Sequence, residues 1–166
     1  CDGDKIMLHL ERSSPLSTLI IVLAGLIFTP NIFANDADDV MSIVYQYGDS
    51  ENDLAAQAKL MRSDRVYISQ GLRQTDQAKN MANQIAISKA RDALNGGKTK
   101  ITTTIEGAVV SIHGDVAVAS FVRWFTFFPH NQAPNTAAPA WVTLVLIKEG
   151  SSWLIKHTHQ SPVGSN

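Results

Sequence analysis

Two histidines near the C-terminus, one residue apart, are the residues of this sequence best suited to chemistry. His157 and His159 follow Trp153 and Ile155 in the stretch WLIKHTHQS. Side chains of an extended strand alternate between its two faces, so these four would form one row that begins apolar and ends in imidazole. Histidine titrates near neutral pH and serves as acid, base, metal ligand or structural residue. The pair could therefore be a pocket wall, a metal site or a coincidence of sequence.

Arg123 is a second candidate, since it interrupts the apolar, strand-like segment Val116–Phe128. An arginine in a core-facing row must be paired or face a cavity, because burial of an isolated charge is prohibitive. On the other face of the strand it would simply meet water. Tyr67, in the short stretch DRVYIS, could bring a hydroxyl group to the same pocket. We predict Arg123, Tyr67, His157 and His159 as ligand-binding residues, with the two histidines as the catalytic candidates.

A metal site is not predicted, although two histidines at positions i and i+2 of a strand could bind one ion. Such a site needs a third ligand, and His9, His113 and His130 lie in the leader, a turn and a loop. No carboxylate lies in an apolar row as a catalytic aspartate would, since Asp115 is in a turn and the face of Glu106 is ambiguous. We therefore expect no metal and no cofactor, and the lack of an acid partner disfavours an enzyme.

Length and composition indicate one globular domain. The chain has 166 residues, 45% of them hydrophobic and 17% charged, and its formal net charge is −1. This is enough apolar surface for a substantial core, and the low charge argues against a disordered chain. No basic stripe is present, so no nucleic-acid partner is expected. The single cysteine, Cys1, precedes the predicted mature chain, which would therefore contain no disulfide.

The first 34 residues have the pattern of a leader. An uncharged apolar run, Leu16–Phe28, follows Met7 and ends shortly before Pro30 and Ala34. This order predicts a signal peptide over residues 7–34 with cleavage after Ala34, and a periplasmic or secreted domain over residues 35–166. The alternative is a retained membrane anchor, but the run is shorter than the roughly 20 residues that span a bilayer. After cleavage we expect no membrane association.

The predicted mature chain consists of helical patterns followed by strand patterns. Apolar residues recur at helical spacing in three segments, Asp36–Tyr47, Ser50–Met61 and Asp76–Leu94. A short strand is predicted between the second and third of them, at Asp64–Ser69. After the glycine pair that follows, a period of two predicts strands at Lys98–Ile112, Val116–Phe128, Trp141–Lys148 and Trp153–Ser161. This order predicts an α+β fold, in which a cone-shaped, curved antiparallel sheet packs against N-terminal helices and encloses a pocket.

The element order resembles that of the nuclear transport factor 2-like superfamily, which includes SnoaL-like polyketide cyclases and ketosteroid isomerases. The pattern W-x-x-x-H-x-H-x-S in Trp153–Ser161 is similar to the closing strand of the association domain of calcium/calmodulin-dependent protein kinase II. The stretch Gly114–Trp124 also resembles that type of domain, whose strand carries a pocket arginine where Arg123 stands. Further pocket arginines of that type have no counterpart in Trp141–Ile147. The resemblance implies a ligand pocket inside the cone and association through the sheet.

Two functions follow as expectations. The first is an exported binding or association module that forms a homodimer or higher oligomer through the apolar outer face of its sheet. It would hold a small molecule, with a carboxylate or another anionic group, by Arg123 and the histidine pair. The second is an isomerase, dehydratase or cyclase of the SnoaL-like or ketosteroid-isomerase-like type, with His157 or His159 as general base. The lack of an acid partner favours the first.

Overall fold

A six-stranded sheet and three helices make up the domain. The computed structural model describes residues 32–164. Its helices are α1 (Ile32–Asp49), α2 (Leu54–Ala58) and α3 (Gln77–Leu94), with a 3-10 turn at Ser50–Asn52. Its strands are β1 (Met61–Ser69), β2 (Leu72–Gln74), β3 (Lys100–His113), β4 (Val116–Phe128), β5 (Ala138–Glu149) and β6 (Ser152–Pro162). The predicted signal peptide lies almost entirely outside the described residues, and its predicted cleavage point falls within α1.

The strands run in the order β2-β1-β6-β5-β4-β3. Strands β3 to β6 form an antiparallel meander, and β1 pairs with β6 in parallel. The predicted α+β class is confirmed, with one parallel pair that the sequence did not indicate. The face of the sheet that α1 covers is called the inner face below. No helix within residues 32–164 combines the length and the apolar character needed to cross a bilayer.

The core forms where α1 lies on the inner face of the sheet. Val40, Val44 and Tyr47 are buried on one side of α1, as their spacing of four and three residues predicts. Burial of each such side chain contributes roughly 1.5–3 kcal/mol. They share one apolar cluster with side chains of the meander: Phe121, Leu144, Leu146, Trp153 and Ile155. Phe125 and Phe127, further along β4, do not belong to this cluster.

Asp36 attaches the start of α1 to the sheet. Its Oδ1 accepts a hydrogen bond from Lys148 Nζ at 2.6 Å and another from Trp153 Nε1 at 3.2 Å. The bond with Lys148 is the main reason that the pKa of the Asp36 carboxyl lies below its ordinary value. Because a buried carboxylate needs such partners, this contact fixes the start of α1 against β5 and β6.

The predicted helix Ser50–Met61 is divided in the structure. Asp53 has φ −132° and ψ 79°, outside the helical region, and its side chain accepts a bond from Ala56 N at 2.9 Å. This local bond caps α2 and competes with a continuous helix. The short strand β2 was also not predicted. It pairs with β1 through a two-residue turn at Gln70 and Gly71, which both have positive φ, as tight hairpin turns require.

The third helix is less buried than its pattern predicts. Its buried residues are Gln77, Asn80 and Met81, all in the first two turns. Ala82 and Ile85, which were expected on the apolar side with Met81, are exposed. The second half of α3 therefore contributes no fully buried side chain to the core.

A β-bulge changes the direction of side chains in β6. Ile155 pairs with Leu146 of β5, whereas His157 pairs with Val145, so Lys156 is an extra residue without a partner. Such an insertion shifts the alternation of side chains by one position. Trp153 and Ile155 point inward, but beyond the bulge Thr158 is the fully buried residue and His159 is exposed. The expectation that both histidines continue the inward row is therefore wrong.

Candidate functional site

A cavity of about 370 Å³ opens at the end of the cone that the apolar core does not fill. Four aromatic rings from α1, β1 and β4 contribute to its wall: Tyr47, Tyr67, Phe125 and Phe127. The rings of Phe125 and Phe127 are stacked, with centroids 6.3 Å apart and planes inclined by 15°. Arg123 and Glu51 are the charged residues at this wall. The wall thus combines aromatic rings with one ionic pair, a composition typical of small-molecule sites.

Arg123 lies on the inner face of β4 and is 3% exposed. Its Nη1 donates to Glu51 Oε1 at 2.7 Å, and its Nη2 donates to Gln160 Oε1 at 2.9 Å. The guanidinium also lies over the rings of Tyr47 and Phe125, 4.6 Å and 4.1 Å from their centroids. Its Nε is buried and has no partner within residues 32–164. Contacts on three sides hold this side chain in one position at the cavity wall.

Glu51 was not predicted from the sequence. It lies in the 3-10 turn after α1, where the stretch DSEND indicates only a polar loop. Its Oε1 accepts bonds from Arg123 Nη1 and from Gln57 Nε2, the latter at 2.8 Å. No described residue donates to its other oxygen, Oε2. Glu51 is also the one carboxylate among the described residues that line the cavity.

Tyr67 reaches the cavity from β1, as predicted. Burial is the main cause that raises the pKa of its hydroxyl above the ordinary value. Its hydroxyl is therefore a neutral group at physiological pH, able both to donate and to accept a hydrogen bond. Tyr67 and Arg123, which the sequence suggested independently, lie at the same cavity. Their binding roles stay predictions.

Behind Tyr67 lies Arg65, the largest fully buried side chain of the described residues, with 1% exposure. Its guanidinium carbon lies 4.8 Å from the centroid of the Tyr67 ring. Its Nε donates to Thr158 Oγ1 at 3.1 Å, and its Nη1 donates to Gln77 Oε1 at 3.3 Å and to Met61 Sδ. All of these partners are neutral. Its local segment, DRVYIS, does not distinguish this residue from an ordinary surface arginine.

The two histidines do not line the cavity. His157 is half-buried away from it and His159 is exposed, because the bulge at Lys156 turns both toward the other face. Gln160 and Ser161 from the same strand line the cavity instead. Burial, followed by the neighbouring charge of His159, lowers the pKa of His157. His157 is therefore neutral at pH 7.

No group of three potential metal ligands from His, Cys, Asp and Glu lies together in the described part of the chain. The cavity wall offers a different set of groups: hydrogen-bond donors, one carboxylate oxygen and aromatic faces. Such a wall can bind and orient an organic molecule that has a flat apolar part and a polar end.

The family follows from the sequence of the domain just described. The SnoaL-like domain model matches residues 48–165, which include Glu51, all six strands in full and every residue of the cavity wall except Tyr47. The chain belongs to this family. The predicted membership of the nuclear transport factor 2-like superfamily is thereby confirmed, whereas a closer likeness to the kinase association domain stays a prediction.

Solved structures share the fold of this SnoaL-like domain at low sequence identity. An NTF2-like protein from Novosphingobium aromaticivorans superposes with a TM-score of 0.67 at 14% identity, covering 81% of this chain and 86% of its own. A protein from Streptomyces avermitilis, provisionally assigned as a dehydratase, gives 0.66 at 14% identity with 80% and 99% covered. ActVI-ORFA from Streptomyces coelicolor gives 0.63 at 16% identity with 77% and 97% covered. No curated protein matches the chain.

Proposed function

We propose that this SnoaL-like domain is a binding module that holds one small organic molecule in the cone cavity. The observation that carries the proposal is the Arg123–Glu51 pair, which is held rigidly at the wall of an aromatic cavity of about 370 Å³. A cavity of this volume lies within the range of known small-molecule sites. Both residues line this cavity, so a ligand there would contact the pair directly.

The proposed ligand has a flat ring and a polar end. Phe125 and Phe127 offer stacked faces for a ring, since aromatic contacts contribute beyond simple burial of area. Arg123 and Glu51 Oε2 together offer donors and an acceptor to the polar end. The test is titration of benzoate and benzamide into the wild-type and Arg123→Met proteins by calorimetry. Wild-type binding that is weakened in Arg123→Met supports the proposal, and a wild-type protein that binds neither compound contradicts it.

An enzymatic alternative now depends on Glu51 instead of histidine. A general base must reach the substrate proton, and the two histidines lie away from the cavity. Glu51 Oε2 and the hydroxyls of Tyr47 and Tyr67 are the carboxylate and phenol groups at the wall that can transfer a proton. They would suit an isomerase or dehydratase, the classes provisionally assigned to the Streptomyces avermitilis protein and to a fold neighbour from Shewanella frigidimarina. Turnover that is lost in Glu51→Gln but kept in His159→Ala would favour this alternative.

We also propose that the domain associates through the outer face of its sheet. Trp141 is 54% exposed there, beside Trp124 and Val122, and such apolar patches usually mark an interface. Wild-type protein at micromolar concentration should have at least a dimer's mass by light scattering, and Trp141→Glu should be monomeric. Tyr45→Glu, at an exposed aromatic residue of α1, is the matched control. A monomeric wild-type protein would refute this part.

Export belongs to the same proposal. The apolar run before the domain and the small residue at position 34 support a cleaved signal peptide. N-terminal sequencing of protein from the periplasmic or extracellular fraction should find Asn35 as the first residue. Protein that retains Met7 in the membrane fraction would show that the leader is an anchor.

A further inference from the structure

Within residues 32–164, Arg65 is a buried cation without an acidic partner. Its three hydrogen-bond acceptors, Thr158, Gln77 and Met61, are all neutral, and its guanidinium lies over the face of the Tyr67 ring. An arginine cannot lose its proton at physiological pH, so the charge stays inside the protein. Burial of a charge that is only hydrogen-bonded to neutral groups is costly. A negative charge near Arg65 would relieve that cost.

The groups around the cavity do not supply this negative charge. Arg65 and Arg123 are two buried cations, and Glu51 is the one carboxylate among the described residues of the cavity wall. Glu51 is already paired with Arg123. The buried carboxylate of Asp36 lies at the opposite end of α1 and is paired with Lys148. Arg65, Arg123 and Glu51 together therefore have a net charge of +1. The half-buried Arg91, whose guanidinium lies 5.4 Å from the centroid of the Phe127 ring, adds a further positive charge.

We infer that the cavity selects a ligand with one negative charge, and that Arg65, which does not itself line the cavity, is the residue that sets this preference. The inference rests on the proposed binding function. It also changes the role of Arg123, because that guanidinium is already neutralised by Glu51. Arg123 orients the polar end of the ligand, whereas the uncompensated charge of Arg65 makes an anion preferable to a neutral molecule.

Tyr67 connects the two locations, since it contacts Arg65 and also lines the cavity. The guanidinium lies 4.8 Å from the ring centroid, and a ligand in contact with the ring adds about 3.5 Å. An anion would thus be roughly 8 Å from Arg65. At an effective dielectric constant of about 20, this interaction changes a dissociation constant by roughly thirtyfold.

The test compares benzoate with benzamide, which differ in charge but hardly in size. Wild-type protein should bind benzoate at least tenfold more tightly by calorimetry. Gln77→Glu places a carboxylate at the atom that accepts from Arg65 Nη1, so it should abolish the preference with little change in benzamide affinity. Arg65→Met should have the same effect by removing the cation, while Arg65→Lys keeps the charge and should keep the preference.

Controls change the same charges elsewhere. Gln46→Glu on the exposed side of α1 and Arg73→Met on the exposed strand β2 should leave the ratio of the two affinities unchanged. Equal binding of benzoate and benzamide by the wild-type protein would overturn the inference but not the binding function. A folded Gln77→Glu protein with an unchanged ratio would also overturn it. Binding of neither compound would instead contradict the proposed binding function, and this inference with it.

Discussion

The ionic pair at the cavity wall allows a prediction that depends on which partner is removed. Side-chain exposure is 4% for Arg123 and 14% for Glu51, so solvent screens the pair only weakly. Glu51→Gln leaves two buried guanidiniums, Arg123 and Arg65, and no carboxylate among the described residues of the cavity wall. Arg123→Met instead leaves Glu51 with Arg65 as the remaining cation. We expect Glu51→Gln to be the more destabilising change.

The magnitudes follow from the geometry of the pair. Removal of one partner of a buried ion pair costs about 3–5 kcal/mol, because the other charge is left uncompensated. Glu51→Gln should therefore lower the free energy of unfolding by about 4 kcal/mol, which corresponds to roughly 15 °C in Tm for a domain of this size. Arg123→Met should cost roughly 1–2 kcal/mol, since Arg65 partly offsets the charge of Glu51.

Urea denaturation, followed by tryptophan fluorescence, measures these differences. The double variant Glu51→Gln/Arg123→Met restores the net charge of +1 and should be more stable than Glu51→Gln alone. Glu149→Gln is the control, because Glu149 pairs with Arg62 at the surface and such pairs contribute roughly 0–1 kcal/mol. If Arg123→Met is destabilised as much as Glu51→Gln, Arg65 does not act on this pair and the charge argument fails.

Three further predictions test other contacts. Thr158→Val should cost about 1–3 kcal/mol in urea unfolding, because it removes an acceptor from the buried guanidinium of Arg65. His159→Ala, at an exposed residue, should change stability by less than about 0.5 kcal/mol. The reverse order would contradict the position of the bulge. Gly97→Ala should lower the free energy of unfolding by roughly 1 kcal/mol, since the added Cβ would lie 2.5 Å from the His130 ring. The additional substitution His130→Ala removes that ring and should recover the lost stability. Asp36 has a lowered pKa, so its contribution is present above about pH 4 and lost as pH falls further. The difference in urea midpoint between wild type and Asp36→Asn should therefore shrink from pH 6 to pH 3.

Local patterns in the sequence were sufficient for most of the fold. The spacing of Val40, Val44 and Tyr47 predicts the buried side of α1, and all three are buried. The turns at Gly114 and Gly150, both with positive φ, separate strands that the alternating pattern had already located. These features depend on residues within about one or two turns of each other. The α+β class follows from their order along the chain.

The sequence by itself also predicted that Arg123 and Tyr67 lie at a cavity, because a charge or a hydroxyl in an apolar strand needs a partner or a cavity. It could not indicate the bulge at Lys156, since an extra residue in one strand is defined only by its pairing with another. The histidine pair was therefore assigned to the wrong face.

Only the tertiary structure decided the charge of the site. Glu51 and Arg123 are hydrogen-bonded although they are 72 positions apart in the sequence, and Arg65 and Thr158 are 93 positions apart. Each of these residues is unremarkable in its local segment. Whether a buried charge is compensated depends on which distant side chains share its surroundings, because electrostatic interactions act through space and are strongest where water is excluded. The sequence determined which strands carry the polar groups, and packing determined which of those groups remained without a partner.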